Sequence, residues 1–149
     1  MAIIQTLEMK GTQPIPNADE VGELYEITFK IDTAVTNLGI GDFVQLMQIP
    51  ADFVLSDIRL GASATLGATT VAAGIADALA TTTLSTTFIA AQTFTTTAPV
   101  LANSLVMADL PIGNPTKDQR ILALAIAAEA EATNVIYCSV RYRCSRYGK

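Results

Sequence analysis

The sequence predicts an all-β protein, an antiparallel β-sandwich preceded by an irregular N-terminal arm. Three observations predict it. In "LYEITFKID", apolar Tyr25, Ile27, Phe29 and Ile31 alternate with Glu26, Thr28, Lys30 and Asp32, the period of a strand with one wet face. In "VIYCSVRYRC", Ile136, Cys138, Val140 and Tyr142 face one way and Tyr137, Ser139, Arg141 and Arg143 the other. Between these stretches, short apolar runs are separated by turn residues, the signature of several short antiparallel strands. At 149 residues the chain is one domain by length, with room for one sizeable core. The expected division is an arm over residues 1–22 and a single sandwich over 23–149.

Taken in order, the arm contains "KGTQPIPNADE", in which two prolines, a glycine and an asparagine punctuate the chain without giving it a periodic face. The strand over 24–32 follows, then "NLGIGD" as a turn with two glycines. "FVQLMQI" carries apolar residues on both faces, as a strand does inside a sandwich or at an oligomer contact. Pro50 stops its ladder, because proline has no N–H to donate. "FVLSDIRL" resumes, and strict alternation puts Val54, Ser56, Ile58 and Leu60 on one face and Leu55, Asp57 and Arg59 on the other.

Residues 61–104 are rich in alanine and threonine. "TTVAAGIA" and "FIAAQTFTTT" read as strands, helped by β-branched threonine, with "DALATTTL" between them as a loop or helical turn. Over 117–132 helix and strand compete. Asn114 and Pro115 suit a helix start and the residues after them are good helix formers. Yet Leu122, Leu124 and Ile126 alternate with Ala123 and Ala125, which suits a strand with small residues outside. The favoured reading is strand–turn–strand, with "EAEATN" as a hairpin connection into the strand that starts near residue 135.

Composition excludes several functions. Half the residues are apolar and 15% are charged, which is a globular rather than a disordered balance. The longest apolar run, "ILALAIAA", is less than half of the roughly 20 residues that cross a bilayer, so no membrane span is expected; nor is a secretory signal. Net charge is −5, which argues against a nucleic-acid partner. Acidic Asp19, Glu20, Glu23 and Glu26 lie early, whereas Arg141, Arg143, Arg146 and Lys149 lie late. Cys138 and Cys144 sit six apart on one strand, roughly 20 Å at about 3.3 Å per residue, beyond the reach of a disulfide. Two free thiols suit synthesis in a cytoplasm.

Catalytic chemistry has little to build on. The chain contains no histidine, which removes the commonest general base and the commonest metal ligand, and with them a Ser–His–Asp or Cys–His arrangement. There is no phosphate-binding glycine loop, and the cysteine spacing is not that of a metal pair. Asp52 and Asp57 would project to opposite faces of one strand, while Glu129 and Glu131 sit in the expected turn, where water keeps a carboxylate ordinary. No enzyme activity, metal or cofactor is expected. Tyr137 with Arg141 and Arg143 on one strand face could stack bases, but with 6% aromatics a protein–protein rim is the better use of tyrosine and arginine.

The succession "ELYEITFKIDTA", "GDFVQLMQIPADFVLSDIRLGA", "TTVAAGIADA" and "RILALAIAAEAEATNVIYCSVRYR" resembles the small head-decoration (capsid cement) proteins of tailed bacteriophages. The likeness spans most of residues 24–143. It implies a jelly-roll sandwich that binds the outside of an assembled capsid, with the major capsid protein as partner and a small homo-oligomer, a trimer first, as the working unit. The residues then expected at a capsid or protomer interface are Pro14, Ile15, Pro16 and Glu20 of the arm and Tyr137, Arg141 and Arg143 of the last strand. The protein would be made in a host cytoplasm and reside on the virion surface. The alternatives are another β-rich virion component (head fibre, tail or connector part) and a non-catalytic glycan- or peptide-binding module.

Overall fold

The computed structural model describes residues 2–11, 24–36, 38–49, 53–63, 69–93, 100–101, 120–127 and 134–144. Nine strands run through them: β1 (Ile3–Gln5), β2 (Leu24–Asp32), β3 (Phe43–Ile49), β4 (Phe53–Ala62), β5 (Thr70–Ala76), β6 (Thr86–Thr93), β7 (Val100–Leu101), β8 (Arg120–Ile126) and β9 (Val135–Cys144); one helical turn, α1 (Thr33–Thr36), follows β2. They form two sheets, β1-β3-β8-β5-β6 and β2-β9-β4-β7.

The topology is that of a jelly roll. Among β2 to β9 each strand pairs with the one equally far from the other end of the series: β2 with β9, β3 with β8, β4 with β7, β5 with β6. This is a long two-stranded ribbon. Rolling it up adds the β9–β4 and β8–β5 pairings and yields two stacked four-stranded sheets. β1 is appended to the free side of β3, in the one parallel pairing among the described residues. The region expected as an irregular arm therefore begins with a strand; residues 12–23 lie outside the described set.

The core lies between the sheets. From β2 come Phe29 and Ile31, from β9 Ile136, Cys138, Val140 and Tyr142, from β3 Val44, Leu46, Met47 and Ile49, and from β8 Leu122, Leu124 and Ile126, all buried. The alternations expected in β2 and β9 hold, with Tyr25 and Ile27 half-buried against the same core. The described part of 117–132 is strand, as favoured.

Three expectations change. First, β4 does not alternate strictly. The register with β9 shifts between Leu55 and Asp57, so Ser56 is an extra, exposed residue and Leu55 turns inward with Ile58 and Leu60. A bulge inserts one residue and reverses the phase of everything before it. Second, β8 and β9 are not a hairpin, because they lie in different sheets. Third, the small side of β8 does not face water. Ile121 and Ala123 form a second buried cluster with Phe43 and Ala76, covered by Met9 and Leu84. Alanine suits this face because chain lies directly over it.

Local chemistry seals the covered face. Gln45 is fully buried on β3; its Nε2 donates to the Leu79 carbonyl at 2.8 Å and its Oε1 accepts from Gln5 Nε2 at 2.9 Å. Burying an amide is tolerable when its bonds are made. β1 is anchored at its start by Asp42, whose carboxylate accepts from the Ala2 N–H at 2.6 Å and the Gly39 N–H at 2.8 Å. Gly41, at φ 77°, makes the turn that presents this carboxylate, a conformation that a residue with a Cβ adopts reluctantly. Burial pushes the Asp42 pKa up, but the Gly39 and Ala2 N–H donors together with the N-terminal ammonium bring the net value below the ordinary 3.8.

This architecture sets the expected cost of two substitutions. A methyl group at Gly74 runs into the Thr86 carbonyl oxygen of the neighbouring strand, and backbone cannot step aside. Gly74→Ala should cost about 1–3 kcal/mol or more, read as a lower urea midpoint at unchanged slope. Asp42→Ala should cost about 1.5–3 kcal/mol and expose the β1 amides to hydrogen exchange. With a depressed folded-state pKa, the Asp42 contribution is complete above its ordinary value and is lost as pH falls through the lower folded value. Acid unfolding of Asp42→Ala should therefore lack that part of the pH dependence.

Candidate functional site

One outer face is covered by the chain itself; among the described residues the outer face of β2-β9-β4 stays open to solvent. Its side chains stand in rows fixed by strand register. Glu26 lies opposite Arg141, which lies opposite Asp57; Thr28 opposite Ser139, then Arg59; Lys30 opposite Tyr137, then Gly61. These are the outward positions of the three strands, polar because the inward ones are spent on the core.

Side-chain bonds run within and between the first two rows. Arg141 Nε donates to Glu26 Oε2 at 2.7 Å, and the Ser139 hydroxyl donates to Glu26 Oε1 at 2.7 Å. Thr28 Oγ1 donates to Ser139 Oγ at 3.3 Å. Arg59 Nε meets Asp57 Oδ2 at 2.8 Å. The Ser139 hydroxyl first, and then the Arg141 guanidinium, hold the Glu26 carboxyl below the usual range, while Glu26 raises the pKa of Arg141. Such exposed pairs add little stability. What they do is hold long side chains in one geometry, which lowers the entropy lost when a partner arrives.

A shallow depression of about 390 Å³ lies among Glu26, Thr28, Arg59, Gly61, Tyr137 and Ser139. Gly61 leaves room beside the Tyr137 ring, which is 38% exposed. A second groove, of about 450 Å³, runs beside β2 and is walled by the β1 segment, Leu7 and Val35. Among the described residues no three His, Cys, Asp or Glu side chains converge. Cys138 is fully buried, and burial alone pushes its thiol up to about 12, so it is not a nucleophile here. No described helix is long and apolar enough to cross a membrane.

Of the residues expected at an interface, Tyr137, Arg141 and Arg143 come together on the outer face of β9. Their availability differs: Arg143 is exposed, whereas the Arg141 charge is already matched by Glu26. Pro14, Ile15, Pro16 and Glu20 lie outside the described residues. Sequence reasoning misses Glu26, Thr28, Asp57, Arg59 and Ser139 as parts of the same face. The alternation of β2 and β9 gives their outward direction, but not that strands 115 residues apart in sequence are neighbours.

Neither the family models nor the curated proteins with which the sequence was compared give a match. Solved structures do. The fold superposes on a chain from the capsid of Ralstonia phage GP4 with a TM-score of 0.73 at 21% identity, covering 95% of this chain and 97% of that one. A chain from the cyanophage Pam1 capsid asymmetric unit superposes with a TM-score of 0.55 at 13% identity, over 89% and 92%. These likenesses establish a shared β-sandwich fold.

The bonded row gives a prediction of its own. Ser139→Ala should move the carboxyl titration of Glu26, followed by NMR, back toward the ordinary 4.5, with Arg141 still in place. An unchanged titration would show that the hydroxyl does not hold the carboxylate.

Proposed function

We propose that this protein is a structural component of a tailed-phage virion that binds the exterior of the capsid and stabilises the shell by protein–protein contacts. The observation that carries this reading is the superposition on a chain from a phage capsid over 95% of one chain and 97% of the other, so the match is between whole chains of similar length. The partner is the major capsid protein, the working unit a small homo-oligomer, a trimer first, and the location the virion surface. The polar outer face of β2-β9-β4 suits such a contact. Tyr137 and Arg143 are the exposed aromatic and cation that interfaces favour, and Arg141 holds the face in shape through Glu26. Many modest contacts repeated over a shell act together, because each bound copy holds its neighbours at high effective concentration.

A glycan- or peptide-binding module is the second reading. The depression beside Tyr137, edged by a carboxylate, a guanidinium and hydroxyls, favours it.

The experiment is to mix purified protein with capsids that lack it, pellet the particles and image them. Ordered extra density at fixed lattice positions is the expected result. Tyr137→Ala with Arg143→Glu should weaken binding roughly tenfold or more. Removing residues 1–20 is a poor test of the arm, since it deletes β1; replacing Pro14, Ile15, Pro16 and Glu20 with glycine and serine tests it cleanly. Absence of binding to any mature shell, with binding on a glycan array instead, would overturn the capsid reading in favour of the second.

A further inference from the structure

The four sheet edges are unequal. β1 has three residues, β7 has two among those described, and β6 meets β5 through two register breaks. Short or irregular edges are how sheets avoid unwanted pairing. β2 is different: it has nine residues in unbroken register with β9, its one neighbour in the sheet among the described residues. Beside its open edge runs the second groove, flanked by Val35 and Leu7, which are 83% and 58% exposed. Ile27 packs against the core yet stays only half-buried.

The geometry points to a second copy of this chain as the occupant of that edge, with β2 pairing antiparallel to β2 of the partner about a two-fold axis at Thr28. The sequence of the strand is self-complementary in this register. Glu26 of each copy faces Lys30 of the other, Ile27 faces Phe29, and Thr28 faces Thr28, matching charge, apolar and hydroxyl pairs. Charge disfavours several alternatives: an axis at Glu26 opposes two carboxylates, an axis at Lys30 opposes two ammonium groups, and in-register parallel pairing opposes both like pairs. Lys30 has no carboxylate partner among the described residues, whereas Glu26 is bonded on its β9 side. The pairing extends that row across the contact as Asp57, opposite Arg141 in register, then Arg141 bonded to Glu26, then Lys30 of the other copy, with alternating sign throughout. The two sheets merge into one, and Leu7 and Val35 come under cover. This contact is independent of the capsid reading and differs in symmetry from a three-fold contact, so both can occur in one assembly.

At the axis, facing Cα atoms stand about 4.5–5.5 Å apart, within the span of a disulfide. Thr28→Cys under mild oxidation should give a covalent dimer on non-reducing gels. Ser56→Cys, exposed on β4, and the unmutated chain with its own two cysteines set the baseline. Adding Lys30→Glu to Thr28→Cys places like charges in both cross-strand pairs and should reduce the dimer about tenfold. Mixing that chain with one carrying Glu26→Lys and Thr28→Cys restores complementary charges in both pairs and should restore the covalent dimer as a mixed species. A Thr28→Cys dimer no more abundant than the baseline, or one indifferent to Lys30→Glu, would overturn the proposal. Capsid binding by the unmutated chain is scored separately, so either reading can fail alone.

Discussion

Because β8 and β9, the last two strands of the chain, take the central positions of their sheets, nearly every other element depends on their arrival. β9 holds β2 on one side and β4 on the other, and β8 does the same for β3 and β5. Until they insert, neither sheet is continuous and neither has its inner row. Residues 136, 138, 140 and 142 of β9 and 122 and 124 of β8 are fully buried, so the centre of the core is contributed last. The clasp between Thr33 and Asn134, with the threonine hydroxyl donating to the asparagine carbonyl at 2.7 Å and accepting its N–H at 3.0 Å, joins residues 101 apart. Closing such distances costs loop entropy before any contact returns it, which places the fold among the slow, non-local ones.

The same constraint decides which surface is available. One sheet has an apolar outer side, and the chain covers it with its own turns: Met9 from the N-terminal segment, Leu84 and the Leu79 carbonyl from the β5–β6 connection. Among the described residues nothing covers the outer side of the other sheet, and its outward residues are polar. The result is a two-sided molecule, one side finished internally and one side presenting bonded rows of charge and hydroxyl around Tyr137.

How much of this is legible in the sequence follows from the range of the forces involved. β2 and β9 are legible because a half-buried strand writes its environment into every second residue. Strict alternation places the start of β4 one step out of phase. The sign of the bulge is present, since Leu55, Ile58 and Leu60 cannot share a face in a regular strand, and an apolar spacing of three then two marks an inserted residue. The sheet assignment of β8 and β9 is not legible: "EAEATN" suits a hairpin locally, and only the pairing of β8 with β3 and β5 rules it out. β1 is three residues long, too short for any period. The Glu26–Arg141 pair needs the register between distant strands, which no local pattern carries, so Arg141 reads as a free cation when its charge is already matched.

That matched charge shapes how this face can bind. A free arginine attracts acidic surface from any direction, with a strength that salt screens over about 8–10 Å. An arginine bonded to Glu26 and standing opposite Asp57 attracts much less at a distance, because its charge is already matched. The signs of the row alternate across the strands, however, so a second row fits against it in one register and is repelled in the neighbouring one. Charges arranged this way contribute little to the strength of a contact and much to its alignment, while in the proposed edge pairing backbone hydrogen bonds and burial of Leu7 and Val35 would supply attraction that salt affects less. A protein that must sit at fixed positions among many identical neighbours needs alignment more than individual affinity, since repetition multiplies the strength of each contact but also any error in its placement.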